Sequence, residues 1–174
     1  SGAKIFVVHR LDQEASGLVL FAKDAAYHRA LCLQFERRQV GKTYLALVQG
    51  TVPADGQVDK PLREFGSGRM GEGAAGKPSL TRYRIKERLK DATLLEVEPV
   101  TGRRHQIRVH LWAIGHPILG DTVYGKERPV GGAARLMLHA LEAAFLDFES
   151  RPLRLAAPPA DDFTAVLNSF RPKA

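Results

Sequence analysis

"SLTRYRIKERLKDATLLEVEPV", Ser79 to Val100, decides the fold. From Ser79 to Leu89 the residues alternate with a period of two and turn their cationic members outward, the pattern of a half-buried strand. The stretch from Ala92 to Val100 is its natural partner, so the pair reads as an antiparallel hairpin or meander. Upstream, "KTYLALVQG" (Lys42–Gly50) reads as a strand ending at a glycine. "IFVV" (residues 5–8) and "GLVLFAK" (Gly17–Lys23) read as two short buried strands separated by a turn. Asp24 can cap a helix over Ala25–Arg38, where Leu31 and Phe35 fall at helical spacing. Residues 66–76, "GSGRMGEGAAG", read as a flexible surface loop, since no GK[ST] ending makes them a phosphate cradle. Downstream, Thr101 and Gly102 mark a turn, and a helix runs from about Arg104 to Ile114, stopping at Gly115. Arg135–Phe148 fits helix or strand, and a proline-rich link leads to a terminal helix near Phe163–Phe170. Strands with intervening helices, mostly antiparallel, give a mixed α+β fold.

The chain has 174 residues, fits one domain (1–174), and is 44% hydrophobic, enough for a real core. Its formal charge of +7 suggests a polyanionic partner, nucleic acid first and acidic membrane surfaces next. Cys32 is the single cysteine, which excludes an intrachain disulfide and fits a reducing cytosol. No apolar run approaches membrane-spanning length, and no secretory leader opens the chain. Residues 1–3, "SGA", read as a cloning remnant, and a start directly on a strand suggests missing upstream sequence.

"HRLDQEASG" (His9–Gly17) places Arg10 and Asp12 between an apolar run and a small-residue turn. His105, His110, His116 and His139 lack a CxxC or HExxH context, so no metal is expected. No GxSxG elbow is present. Asp12 has no evident acidic companion for paired-carboxylate chemistry, whereas arginines are plentiful, which favours a lone carboxylate partnered by a cation. In "GRRHQIRVH" helical spacing puts Arg104, Arg108 and Leu111 on one face. That is either a solvated basic face, or one arginine on a carboxylate with its neighbours on a nucleic-acid backbone.

"HRLDQEASG", "KTYLALVQG", "GKPSLTRY", "TGRRHQIRVHLWAIGHPILGDTVYG" and "RLMLHALEAAF…LAAPPADDF" occur in that order, and together they closely resemble the RluA-type pseudouridine synthases. The resemblance covers nearly the whole chain. It implies a mainly antiparallel mixed sheet with flanking helices around a basic cleft. It also implies an enzyme that isomerises uridine to pseudouridine in RNA without cofactor or metal. Ribosomal RNA is the first expectation and transfer RNA the second. Asp12 matches the catalytic aspartate, Tyr44 the tyrosine that stacks on the target base, and Arg108 the arginine that pairs with the aspartate. Arg10 resembles the residue that fills the gap left by a flipped nucleotide. Arg103, Arg104 and His105 belong with substrate binding and the shaping of the site. The chain departs from the pattern at Ala15, where threonine is common, at Arg104, where a small hydroxyl residue is common, and at Ser79, where alanine is usual. Members usually carry a strand-bearing block ahead of "HRLD", so a truncated, non-catalytic RNA-binding domain is the rival reading. A small-molecule nucleoside or glycoside enzyme is disfavoured by the basic charge. A cytoplasmic monomer is expected.

Overall fold

A computed structural model of the chain describes residues 4–125 and 131–172. Eleven strands and three helices follow one another among them: β1 (Phe6–Val7), β2 (Ser16–Gly17), β3 (Phe21–Ala22), α1 (Ala25–Glu36), β4 (Gly41–Gln49), β5 (Gly56–Asp59), β6 (Leu62–Glu64), β7 (Met70–Glu72), β8 (Leu80–Leu89), β9 (Ala92–Pro99), α2 (Gln106–Ala113), β10 (Leu138–Leu146), β11 (Pro152–Ala156) and α3 (Asp161–Ser169). Six strands form the main sheet in the order β11-β10-β4-β9-β8-β5, all antiparallel, and β2 adds to β10 as the one parallel pair.

The hairpin expected at 79–100 is β8–β9. Arg82, Arg84, Lys86 and Arg88 all face solvent from β8, as the alternation requires. Arg84 and Lys86 each reach Glu96 across the ladder, at 2.8 and 2.9 Å. Four consecutive residues of β4, Leu45 to Val48, are buried, so the sheet is covered on both faces there and the alternation fades. They share one core with Leu94, Leu95 and Val97 of β9, Ile107 and Leu111 of α2, and Phe163, Val166 and Leu167 of α3. The segment 135–148, open between helix and strand in the sequence, contains the strand β10 (Leu138–Leu146). α1 begins where Asp24 accepts the amides of Ala26 and Tyr27, each at 2.9 Å.

Two expectations are corrected. The glycine-rich segment is not simply a loop: Met70–Glu72 pairs with β6, and buried Met70 packs with Leu62, Val109 and Tyr124. A single apolar anchor among small residues carries no periodic signal, so only tertiary contact reveals it. The "IFVV" and "GLVLFAK" runs do form strands, but they are buried only in part, at Leu20 and Ala22. They contribute β1 and β3, a two-stranded ribbon outside the main sheet, with Ile5, Val7 and Phe21 exposed. The ribbon contacts α1, where Phe6 stacks on His28, and its apolar residues are therefore only partly covered.

This ribbon positions the candidate site, because the turn carrying Asp12 leaves β1 and is pinned to the sheet by β2. The Ser16 hydroxyl lies 2.9 Å from His139 Nδ1, and the Leu18 amide donates to the Ala140 carbonyl at 2.9 Å. Gly17 has φ +110° and runs so close to Ala140 that an added β-carbon would overlap its backbone.

Candidate active site

The turn at Asp12 closes through the Ala15 amide, which donates to the Asp12 carbonyl at 3.1 Å, with Glu14 in the left-handed region at φ 68°. His9 anchors its start by accepting the Leu20 amide on Nε2 at 3.0 Å and stacking on Phe35 of α1. Opposite, the Gln106 side chain organises the chain from Thr101 to Arg103. It accepts the Thr101 hydroxyl at 2.6 Å and the Arg103 amide at 3.1 Å, and donates to the Leu80 carbonyl at 2.9 Å. His105, at the N-terminal cap of α2, is left-handed at φ 53°. Non-glycine residues rarely adopt this conformation and hold it only where their surroundings fix it.

Between these walls lies a cleft of about 320 Å³. Arg10, Asp12, Tyr44, Arg103, Arg104 and His105 all line it, so the structure brings together six of the seven residues singled out from the sequence. Among the described residues of the lining Asp12 is the only carboxylate, against four cations, Arg10, Lys42, Arg103 and Arg104. Burial, with the Asp12 charge adding to it, pushes the Tyr44 phenol up to about 12, so the ring stays neutral. Burial likewise lowers His105 and Lys42 below their ordinary values.

The seventh residue, Arg108, stands behind the cleft on α2 and is 5% exposed. Its nearest contact with Asp12 is 3.7 Å, an ion-pair distance but not a hydrogen bond. Its fork is instead filled by Asp121, which accepts Nε and Nη2, each at 2.8 Å. Burial opposes the Arg108 charge, but the Asp121 hydrogen bonds outweigh it, Asp12 assists, and the net effect is upward. Asp121 is held low in turn: burial works against its charge, and Arg108 and the Tyr124 and Val123 amides more than compensate. Sequence reading missed Asp121. It follows Arg108 by thirteen residues and lies beyond the end of the helix, so only the fold makes them neighbours. The one available signal was its place in "GHPILGD".

Arg104 is a second correction. It precedes α2 and so does not share a helical face with Arg108; it reaches the rim and pairs with Glu64 at 2.7 Å. The helix starts later than its spacing suggests because the Gln106 hydrogen bonds hold 101–103 in a turn. Tyr124 ties the two sides together. Its hydroxyl accepts the Met70 amide at 3.1 Å and lies 3.0 Å from His105 Nδ1, while its ring packs under Arg108. His110, His116 and His139 have hydrogen-bond partners elsewhere in the fold. His110 meets the Thr81 hydroxyl and the Lys60 carbonyl, His116 the Gln49 carbonyl, and His139 Ser16 and the Ala157 carbonyl.

Comparison with known proteins bears on this geometry. Residues 1–113 match the family described as RNA pseudouridylate synthase. The chain is 39% identical over 175 residues to the dual-specificity RNA pseudouridine synthase RluA of Vibrio cholerae, covering 96% of this chain and 71% of that protein. It is equally 39% identical to the ribosomal large subunit pseudouridine synthase D of Nitrosomonas europaea, spanning 95% of itself but about half (51%) of that relative. Among solved structures, human RNA pseudouridylate synthase domain containing 4 superposes with a TM-score of 0.82 at 27% identity, over 95% of this chain and 76% of that one.

Proposed function

The chain belongs to the RNA pseudouridylate synthase family, as a synthase of the RluA type, and from that premise we propose that its cleft isomerises uridines of large-subunit ribosomal RNA with Asp12 as the catalytic group. The reaction breaks the bond from ribose C1′ to uracil N1, turns the base, and joins C1′ to C5, which releases its hydrogen as a proton while N1 takes one up. Cleaving the glycosidic bond builds positive charge on the ribose, and a carboxylate beside it serves as stabiliser or nucleophile. Asp12 suits this role because, among the described residues, it is the only carboxylate of a cationic lining, with Arg108 at 3.7 Å behind it. That pairing is the observation on which the proposal rests.

A stacked base must be extruded before it can react, at a cost of about a few kcal/mol. Tyr44, neutral on the cleft wall, gives the extruded uracil a ring to stack on, and Arg10 at the mouth fills the space it leaves. Arg103 and Arg104 meet the RNA backbone, and His105 shapes the wall between them. The ribosomal assignment draws on the similarity to the ribosomal large subunit pseudouridine synthase D, and the domain is proposed to act as a cytoplasmic monomer. The test is release of tritium from C5 of labelled uridine in RNA. The wild-type chain should release it, and Asp12→Asn should bind the same RNA without release. Release by the variant near the wild-type rate would remove Asp12 from the chemistry. Binding without release by the wild-type chain would leave only an RNA-binding domain.

A further inference from the structure

Lys42 has no part in the site as assigned so far. It stands two residues before Tyr44 on β4, so both side chains leave the same face of the strand, about 7 Å apart. Both line the cleft. The ammonium of Lys42 lies against Gly102, where an added β-carbon would sit 3.5 Å from Nζ, and this sets it beside Arg103. Neither cation has a carboxylate within ion-pair distance among the described residues. The buried Nε of Arg103 has no hydrogen-bond partner. Lys42 and Arg103 also form one wall of a second cavity of about 360 Å³ that opens toward the end of α1, with Arg38 on its lining and exposed Glu36 as its one acidic residue. Two half-buried cations without counter-ions, one with an orphaned buried donor, are costly unless an anion completes them.

We infer that Lys42 and Arg103 form a phosphate-binding subsite that grips the RNA phosphodiester next to the target uridine, with the strand leaving the cleft past Arg38. The inference rests on the reading of the cleft as an RNA site. Arg103 offers a planar fork and Lys42 a point charge, the two donor types that hold phosphate oxygens. The subsite lies one ribose-phosphate unit from Tyr44, so binding there fixes which nucleotide can reach the ring.

The test is a scan of a stem-loop RNA that the wild-type chain binds, replacing one phosphodiester at a time with a neutral methylphosphonate and measuring Kd. In the wild-type chain, one linkage flanking the target uridine should weaken binding about tenfold when neutralised. With Lys42→Met the same linkage should cost less than about twofold, the mark of a shared contact. Lys42→Arg should restore most of the sensitivity. Equal costs in the wild-type chain and Lys42→Met at every linkage overturn the subsite, as does a wild-type scan with no sensitive linkage beside the uridine. If Lys42→Met does not fold, Arg103→Met enters the same scan under the same criteria. Failure of the enzymatic reading would appear separately, as bound RNA with no tritium release.

Discussion

Asp121 holds Arg108 in a two-point grip while Asp12 stands 3.7 Å off, so the arginine is oriented by one carboxylate and offered to the other. Removing the grip should act on both stability and chemistry. Asp121→Asn leaves a buried guanidinium with a neutral partner, which should cost about 3 kcal/mol. For a chain of 174 residues that lowers Tm by roughly 10 °C. Turnover at saturating RNA should fall at least about tenfold at temperatures where the variant is folded, because Arg108 can swing onto Asp12. An unchanged kcat in a folded variant would show that Asp121 serves stability alone. Arg104 behaves differently. Its pair with Glu64 is exposed on both sides and is worth at most about 1 kcal/mol. Arg104→Met should therefore leave Tm within a few degrees, weaken RNA binding, and lower the salt slope of log K by about 1. Six cleft residues were legible because their spacing within short blocks matches a known pattern. Asp121 and Lys42 were not: the worth of each depends on a neighbour that only the fold supplies.

The short strand β2 connects the turn bearing Asp12 to β10. Gly17→Ala would force a β-carbon onto the Ala140 backbone at a φ that alanine rarely adopts, so the β2–β10 bridge should part. The expected outcome is a folded chain with lowered Tm and at least about tenfold lower turnover, since near-attack geometry tolerates little displacement. A variant with wild-type kcat would mean that the turn holds its place without β2. At this scale the long strands were readable, because β8 alternates, β4 and β9 carry the apolar runs Leu45–Val48 and Leu94–Leu95, and α1 was announced by its Asp24 cap. The pieces missed or misjudged are short or thinly covered. β11 is exposed at every residue, β7 owes its place to Met70, and the β1–β3 ribbon carries apolar residues that the main sheet does not cover. Periodicity reports burial, so it is silent where burial is shallow and misleading where apolar residues remain exposed.

Across the molecule, His9, His105 and His110 all titrate below their ordinary value, each chiefly through burial. The fold therefore favours their neutral forms, whereas the unfolded chain takes up protons near pH 6.5. Their contribution to stability is complete above that pH and is lost as pH falls through the lower values of the folded state. Tm should be level from about pH 7.5 to 6.5 and then drop by several degrees toward pH 5. That range lies above the window of the lowered carboxylates Glu87 and Glu96, which act below their ordinary 4.5. A flat Tm from pH 7.5 to 5 would contradict this account. The bond between Ser16 and His139 spans 123 residues, and it has a consequence for biosynthesis. Asp12 leaves the ribosome more than a hundred residues ahead of β10, the strand that seats its turn. At about 5–20 residues per second the carboxylate waits on the order of ten seconds for β10. Until then a nascent chain that carries Asp12 has no assembled cleft, so the site stays silent until β10 has been made.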